Sequence, residues 1–533
     1  MTSLDTLLMA VMVASDDPAP LVALAAAHLD AGRTGEAAAV LLSALEKAPT
    51  HAAALVLMGR VAERIAATGG GVALPAQPAA EALLAILASD RLDHQHFIAP
   101  VLGYLRGVLP GGVADPVWLA YLERAINIAP EVETLLTGLR RRALLESRSG
   151  LPPAFLAALA RQCRNNEYVF FVEDDEEAAL AILAEDLAGR MGRHAKVGIE
   201  LLIYALYRPL AQLPRAAELG RRIPVTEPHA RAFAAEAIKA AREDAAIRAA
   251  LPALTAVTAG VSATVAHQYE ENPYPRWLAV TPPEVGSRPL PPGATEAAEV
   301  LVAGCGTGKQ AVRAAFAYGP RSRLLAVDLS RASLAYGVAM ARRLGVANVE
   351  FAQADILALG TLERRFDVIE CTGVLHHMAD PLAGWRVLAG LLKPGGLMRV
   401  ALYSVAARRP VNACRRLIAA GGYEGDTGIR RFRREVLAGR IPEAAELVGA
   451  AADFYSMSEA RDLLFHVQEV QFTIPEIERC LAELGLEFTG FTLPARLLDE
   501  VGPDGTVLER WHRLEQRRPQ LFRNMYQFGC RKG

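Results

Sequence analysis

The spacing of hydrophobic residues changes near the middle of the chain. Up to roughly residue 250, Ala and Leu recur at helical spacing and little resembles a strand. After about Pro292, short apolar runs alternate with helical stretches. Strands separated by helices indicate right-handed crossovers and a parallel sheet. The pattern therefore predicts a multidomain chain with an all-α N-terminal half and an α/β C-terminal half.

The C-terminal half contains enough strand-like segments for a large sheet. Two late segments, Leu486–Leu493 and Asn524–Arg531, are suited to a terminal strand pair. Together with the earlier segments they give seven predicted strands. The five earlier segments read EVLVAG, RLLAVDLS, VEFAQADIL, FDVIECTGVL and GLMRVALYS.

One N-terminal segment, Pro18–Thr50, carries the pattern of a helical repeat. Its apolar and small residues fall where a 34-residue tetratricopeptide repeat places its packing residues. Asp30–Thr34 is suited to the turn between the two helices, and Trp118–Pro130 echoes the pattern. Residues 1–150 are therefore predicted to form a tetratricopeptide-like domain, with an ordinary helical bundle as the alternative, and residues 151–260 to extend it. The matching residues are Leu21, Leu24, Ala25, His28, Ala37, Leu41, Ala44 and Pro49.

Composition narrows the classes of function. The 533 residues are 52% hydrophobic and 22% charged, which is typical of folded domains. The net charge of −2 argues against nucleic-acid binding by bulk electrostatics. Six scattered cysteines form no CxxC pair and no zinc-ligand spacing, so no metal site is expected and a reducing, cytoplasmic location is predicted. The apolar run Ala249–Ala266 is diluted by Pro, Gly, Thr and Ser, so no membrane association is expected.

The segment EVLVAGCGTGKQ, residues 299–310, marks a candidate ligand site. A predicted strand ends in glycines at alternate positions, Gly304, Gly306 and Gly308, before a helix begins. Glycines let the backbone turn tightly and approach a ligand closely, and the helix presents its N-terminus there. The spacing is one residue tighter than the dinucleotide fingerprint and does not fit a phosphate-binding P-loop. On its own, the loop is compatible with a nucleotide-containing cofactor or with a simple turn.

Two aspartates at the ends of later strands make the site more specific. Asp328 lies 20 residues beyond Gly308, where a carboxylate can accept hydrogen bonds from both ribose hydroxyls. The alternative for Asp328 is a cap of the following helix. In the third strand, QADIL brings Asp355 within reach of an adenine amino group, and Ala354 leaves room for the ring.

The motifs together resemble a known family. Residues of about 265–404 resemble the class I S-adenosylmethionine-dependent methyltransferases, because the glycine loop, VDLS, QADIL, the FDVI…VLHHM strand and the KPGG turn follow in family order. The resemblance implies a Rossmann-like domain over residues 261–533 with strand order 3-2-1-4-5-7-6. It also implies an acceptor-side insertion at about 405–475 and S-adenosyl-L-methionine as the cofactor. The cofactor-binding residues that it implies are Gly304, Cys305, Gly306, Gly308, Asp328, Leu329, Asp355 and Ile356.

One position departs from the family pattern. The family usually has an acidic residue two positions before the first glycine, and this chain has Val302 there. That residue normally helps to orient the loop and the methionine amino group. Because the rest of the motif set is intact, a substitute from elsewhere in the chain is expected.

Candidate acceptor-site residues come from three segments. His376 and His377 follow the fourth strand, where either imidazole is a candidate base; the alternative is that they shape the pocket floor. Tyr269 and Tyr274 lie in HQYEENPYPRWL, a predicted lid over the cofactor or, alternatively, a hydrophobic linker. Arg461 and His466 lie in the insertion and are predicted to line the acceptor pocket, although a packed helix fits the same spacing.

The sequence predicts methyl transfer and leaves the acceptor open. In the first hypothesis, the helical half recruits a protein or peptide that the catalytic half methylates. In the second, the acceptor is a small molecule methylated on oxygen or carbon, and the helical half serves oligomerisation, for example as a homodimer. In the third, the chain is a scaffold that binds the cofactor without turnover.

Overall fold

The computed structural model describes residues 4–13, 17–67, 79–109, 112–146, 149–257, 259–294, 297–444, 452–493, 497–498, 500 and 505–533. These residues form two compact units. The first unit is Met1–Ala241 with Trp277–Pro282 and Tyr455–Met457; the second is Arg242–Arg276, Pro283–Phe454 and Ser458–Gly533. Residues 151–241 therefore lie in the same unit as the residues before them, and the predicted boundaries at 150 and 260 stay predictions.

The described part of the first unit is helical, as the spacing of Ala and Leu predicts. Asp30 and Thr34 end and begin consecutive helices, so the predicted turn is confirmed. Leu21, Leu24 and Leu41 on these two helices are buried. The assignment to tetratricopeptide repeats stays a prediction. The α-helices are Leu4–Val13, Ala19–Asp30, Thr34–Lys47, Ala52–Ala67, Ala80–Ala88, Ile98–Val108, Pro116–Arg124, Pro130–Leu145, Pro153–Asn165, Asp174–Gly192, Glu200–Ala205 and Pro228–Ala250, whose last residues belong to the second unit.

The second unit is built on a seven-stranded sheet of order β3-β2-β1-β4-β5-β7-β6, as predicted. The five strands β1 to β5 pair in parallel, and β7 is antiparallel to both of its neighbours. Because parallel strands end at the same edge, the residues that follow β1, β2, β3 and β4 are brought together. The strands are β1 Glu299–Ala303, β2 Arg323–Asp328, β3 Val349–Gln353, β4 Phe366–Thr372, β5 Leu392–Leu402, β6 Leu486–Phe491 and β7 Tyr526–Lys532.

The KPGG segment, residues 393–396, differs from the prediction. A turn before the fifth strand was expected, but these residues lie within β5. The pairing of β5 with β4 shifts register between Phe366 and Val368, which oppose Leu392 and Leu397. Gly395 has a φ of 71°, so the backbone can bulge here without ending the strand.

Helices cover the sheet, and the main apolar core of the unit lies against one face. Side chains alternate along a strand, so Leu301, Ile369 and Val400 point into this core, where they pack with Trp385 and Trp511. The residues between them on each strand face the other way. The helices of this unit are Val261–Glu271, Lys309–Tyr318, Arg331–Arg343, Pro381–Leu391, Arg409–Gly421, Gly425–Leu437, Met457–Phe465, Ile474–Leu484 and Leu508–Arg517, with Met457 itself counted in the first unit.

The predicted insertion between β5 and β6, at about 405–475, contains three of these helices and the start of a fourth; residues 445–451 lie outside the described residues. The apolar run Ala249–Ala266 is shared between the ends of two helices, Pro228–Ala250 and Val261–Glu271. Within the described ranges, no helix combines the length and the apolar character that crossing a membrane requires.

Candidate functional site

A cavity of ≈ 390 Å³ lies at the edge of the sheet where β1 to β4 end. This size is typical of small-molecule sites. All of its lining residues belong to the second unit. Of the predicted site residues, the structure places ten in its wall: Gly304, Cys305, Gly306, Asp328, Leu329, Asp355, Ile356, Tyr269, Tyr274 and His377.

The glycine loop forms the floor of the cavity. Gly304 and Gly306 have φ angles of 70° and 51°, a backbone region that favours glycine. A Cβ atom at Gly304 would overlap the side chain of Val374, and one at Gly306 would overlap the carbonyl oxygen of Tyr274. The bare backbone is therefore required by close packing on both sides. Gly308 does not line the cavity; it precedes the helix Lys309–Tyr318 as its N-cap.

Asp328 joins the end of β2 to the glycine loop. Its Oδ2 accepts a hydrogen bond from the backbone N–H of Gly306 at 2.8 Å, and its Oδ1 accepts one from Ser330 N–H at 2.9 Å. Burial raises the pKa of this carboxyl group. The cap of the following helix is Ser330, whose Oγ accepts from Ser333 N–H, so Asp328 does not cap it. A carboxylate has about four acceptor positions, so these two bonds leave Asp328 with acceptor capacity for a ligand.

Asp355 and Ile356 follow β3 and line the cavity together with Leu329. The Oδ1 atom of Asp355 accepts from Leu357 N–H at 3.0 Å, and the backbone N–H of Asp355 donates to Thr255 Oγ1 at 2.8 Å. Asp355 is almost fully buried. These two hydrogen bonds therefore fix the position of Asp355, which suits a residue that borders a planar ring.

His377 presents a lone pair at the other end of the cavity. Its Nδ1 lies 2.8 Å from the carbonyl oxygen of Gln468. A carbonyl oxygen only accepts, so Nδ1 carries the hydrogen and Nε2 of the neutral ring holds the lone pair. Burial lowers the pKa of His377, which keeps the ring neutral near pH 7. Of the two predicted bases, His377 has the geometry of a proton acceptor.

Three residues beside His377 form a directed hydrogen-bond chain. The N–H of Gln468 donates to His466 Nδ1 at 3.0 Å, so Nε2 of the neutral His466 ring carries the hydrogen. The Nε2–H group of His466 donates to the Tyr269 hydroxyl oxygen at 3.1 Å, and the Tyr269 hydroxyl donates to Asp462 Oδ1 at 2.7 Å. The chain runs from His466 through Tyr269 to Asp462. It holds a carboxylate in the cavity wall.

The same residues have the composition of a metal site, which the sequence did not predict. His377, Asp462 and His466 each place one possible ligand atom within 4.8 Å of the others. However, both nitrogens of His466 are used in the hydrogen-bond chain, and its ring stacks on that of His377 with centroids 3.6 Å apart. Hydrogen bonding and stacking therefore account for the geometry of this group.

Three predicted acceptor-site residues lie outside the cavity wall. His376 is fully buried behind His377, with ring centroids 4.3 Å apart, and neither of its ring nitrogens is hydrogen-bonded among the described residues. Arg461 forms an ion pair with Asp426. His466 is not in the wall either, and contacts it through Tyr269.

Sequence reasoning missed the carboxylate of Asp462 and the aromatic side chain of Tyr403, which both line the cavity. One signal was available for Asp462: it precedes His466 by four positions, a spacing that would place both on one face of a predicted helix, although the helix in the structure ends at Phe465. No such signal exists for Tyr403, at the end of β5, because only the sheet topology brings it beside His377, with ring centroids 6.1 Å apart.

Comparison with known proteins gives a family match over the part of the chain that forms most of this cavity. Residues 294–421 match the family of methyltransferase domains. The match begins just before β1 and ends in the helix after β5, so it includes the glycine loop, Asp328, Asp355 and the two histidines. The C-terminal half of the chain thus contains a methyltransferase domain.

Similar proteins match only part of the chain. An uncharacterized protein of Synechococcus sp. is 30% identical over 235 residues, which is 41% of this chain and 54% of that protein. A ubiquinone biosynthesis O-methyltransferase of Acinetobacter baumannii is 31% identical over 99 residues, 18% of this chain and 40% of the relative. The structure of PKMT2 from Rickettsia typhi in complex with AdoHcy is 21% identical with a TM-score of 0.36, covering 45% of this chain and 50% of that one. The chain therefore spans about half the length of these relatives.

The cofactor of this domain is S-adenosylmethionine, and the described residues fit it. The glycine loop offers close backbone approach at a place where a side chain would not fit. Asp328, which is predicted to hold the ribose, has acceptor capacity left beyond its backbone bonds, and Asp355, Ile356 and Leu329, near the predicted adenine position, line the same cavity. The domain match therefore agrees with the residues that shape the cavity.

Proposed function

We propose that the chain is an S-adenosylmethionine-dependent methyltransferase whose acceptor is an amine of a protein or peptide. One observation carries the proposal: the cavity that contains the cofactor residues ends in a wall with a carboxylate, tyrosine rings and an imidazole lone pair. A methyl donor and a nucleophile need to meet at such a place.

The bound cofactor supplies an activated methyl group, so the protein has three tasks. It positions the acceptor, excludes water and removes a proton from the nucleophile. Tyr269, Tyr274 and Tyr403 narrow the acceptor end and position what enters it. Nε2 of His377, which is 3.9 Å from Asp462 Oδ1, accepts the proton. The carboxylate of Asp462 then stabilises the imidazolium that forms.

The carboxylate beside His377 favours an amine at this end of the cavity. Asp462 is the acidic lining residue nearest His377, and its carboxylate is fixed by the Tyr269 hydroxyl. The rings of Tyr269 and Tyr274 lie beside it, with centroids 6.2 Å apart. A carboxylate beside aromatic faces attracts a protonated amine, such as a lysine side chain or a chain terminus. The all-helical first unit supports recruitment of a protein, because helical arrays commonly bind peptides.

A small-molecule acceptor is the second candidate. The similarity to a ubiquinone biosynthesis O-methyltransferase, over 99 residues, favours it. In that case Nε2 of His377 would accept the proton of a hydroxyl group, and the carboxylate of Asp462 would again stabilise the imidazolium.

A labelling experiment separates the candidates. Purified full-length protein is incubated with methyl-labelled S-adenosylmethionine and cell extract, and the label is followed into acid-precipitable and soluble fractions. We expect label in precipitable material that a protease releases, and a strong reduction with Asp462→Asn. Asp426→Asn is the matched control, because Asp426 lies outside the cavity wall. Label only in small molecules would favour the second candidate, and no transfer at all would favour the non-catalytic scaffold.

A further inference from the structure

We propose that Glu370 and Arg288 together replace the acidic residue that the methyltransferase resemblance expects at position 302, and that Arg288 binds the carboxylate at the amino-acid end of the cofactor. The inference rests on the proposed cofactor site. It changes which group of the cofactor is recognised. In the family pattern, an acidic side chain of the protein faces the ammonium group of the cofactor. In this chain, the Arg288 cation faces the carboxylate group of the cofactor instead.

The sheet register places Glu370 beside Val302. In the β1–β4 pairing, Val302 opposes Glu370. Directly paired residues on neighbouring strands point to the same face, and their neighbours Leu301 and Ile369 point to the opposite face, into the apolar core. A carboxylate therefore occupies the same region as the missing acidic side chain, but comes from the adjacent strand.

Every acceptor position of Glu370 is used. Its Oε1 accepts from Arg288 and from the Tyr318 hydroxyl at 2.8 Å; its Oε2 accepts from Arg288 and from Gln310 Nε2 at 2.8 Å. Gln310 also donates to Thr372 Oγ1 at 2.9 Å. The Glu370 side chain is fully buried and is not part of the cavity wall. It therefore has no capacity left for a ligand, and acts as a positioning residue for Arg288 and Gln310.

Arg288 and Gln310 are the groups that reach the cavity. Both line it, and the Arg288 side chain is 16% exposed. The ion pair with Glu370 is formed through Nη1 alone, and a guanidinium has five N–H donors in all. Lys309, Arg313 and Arg399 line the cavity as well and add positive charge to it. Of the two charged groups at the amino-acid end of the cofactor, this arrangement attracts the carboxylate.

Binding measurements with three ligands test the proposal without requiring turnover. S-adenosylhomocysteine has the complete amino-acid end, its decarboxylated analogue keeps only the amine, and 5′-methylthioadenosine lacks this end entirely. Each is titrated by calorimetry into the full-length wild type and into Arg288→Met. Arg386→Met is the matched control, because Arg386 is an exposed arginine paired with Glu483 and lies outside the cavity wall.

The wild type is expected to bind S-adenosylhomocysteine about tenfold or more tightly than the decarboxylated analogue, as for one charge-assisted hydrogen bond. Arg288→Met should remove this difference and leave the affinity for 5′-methylthioadenosine unchanged, which also shows that the nucleoside part of the site is still folded. Glu370→Gln, which leaves Arg288 without its buried counter-charge, should have a smaller effect of the same kind.

Two results would overturn the proposal. One is equal affinity of the wild type for S-adenosylhomocysteine and its decarboxylated analogue, a comparison that needs no variant to fold. The other is an Arg288→Met variant that binds S-adenosylhomocysteine as the wild type does, since Arg288 would then serve the acceptor or the fold. If the wild type binds none of the three ligands, the proposed function fails first and the inference with it.

Discussion

The replacement of Asp328 by Asn tests how a single carboxylate serves both the fold and the ligand. Asp328 already accepts two backbone N–H groups, from Gly306 and Ser330. A carboxylate has about four acceptor positions, so acceptor capacity is left for the hydroxyls of a ribose. An Asn side chain keeps one oxygen and presents an NH₂ group in place of the other. One backbone N–H then faces a donor, and one ribose hydroxyl loses its charged partner.

The expected loss follows from these contacts. A hydrogen bond to a charged group contributes about 1.5–3 kcal/mol, so losing one of them should weaken binding of S-adenosylhomocysteine roughly 10- to 150-fold. Because burial raises the pKa of Asp328, protonation on acidification should weaken binding by the wild type at a higher pH than for an ordinary aspartate. Asp328→Asn has no carboxyl group here, so its affinity should lack this dependence on pH.

Calorimetry with S-adenosylhomocysteine and its 2′-deoxy analogue measures both effects. The wild type should discriminate between the two ligands, and Asp328→Asn should do so much less. Asp367→Asn is a suitable control, since Asp367 also accepts a backbone N–H, from Glu299 at 2.9 Å, but does not line the cavity. Wild-type affinity in Asp328→Asn, with the discrimination retained, would refute the assignment of Asp328 to the ribose.

Three further predictions follow from the site. His377→Gln should lower kcat by about 10²-fold or more while changing the affinity for S-adenosylhomocysteine little, because a base is lost and not a cofactor contact; an unchanged kcat would remove His377 from the mechanism. Calorimetry should show that Gly306→Ala weakens cofactor binding far more than Gly345→Ala. Both glycines have a positive φ, but only at Gly306 would the new Cβ atom overlap a neighbouring atom. Equal effects of the two substitutions would mean that backbone strain alone accounts for the loss. Burial lowers the pKa of His376, His377 and His466, so below about pH 6.5 the unfolded chain binds more protons than the folded one. Urea denaturation should therefore show the free energy of unfolding falling as the pH decreases, by up to about 4 kcal/mol per pH unit for three such groups. A free energy of unfolding that does not change with pH would contradict the conclusion that these three rings are neutral in the folded protein.

Much of the second unit could be predicted because its signals are local. The alternation of apolar runs and helices predicts the seven strands, and the resemblance to class I methyltransferases implies the sheet order that the structure has. The glycine loop, Asp328 and Asp355 stand directly after strands, where sequence and position in the sheet are tightly linked. The prediction of a turn at KPGG was wrong, because Gly395 accommodates a bulge inside β5 as easily as a turn before it.

The acceptor end could not be predicted to the same extent, because distant segments build it. Tyr269 and Asp462 are 193 positions apart in the chain, and Arg288 and Glu370 are 82 apart. No local pattern relates such pairs. The choice between His376 and His377 depended on which ring of a single short turn faces the cavity, and that direction is set by packing against Tyr403 and by the carbonyl group of Gln468.

The proposed methyltransferase function requires that the cavity at the end of β1 to β4 binds a sulfonium nucleoside through the glycine loop, Asp328 and Asp355. Equilibrium dialysis of the purified full-length chain with labelled S-adenosylmethionine tests it most directly. We expect saturable binding to one site, from which S-adenosylhomocysteine displaces the label and NADH does not. Absence of retained label, or displacement by NADH alone, would contradict it.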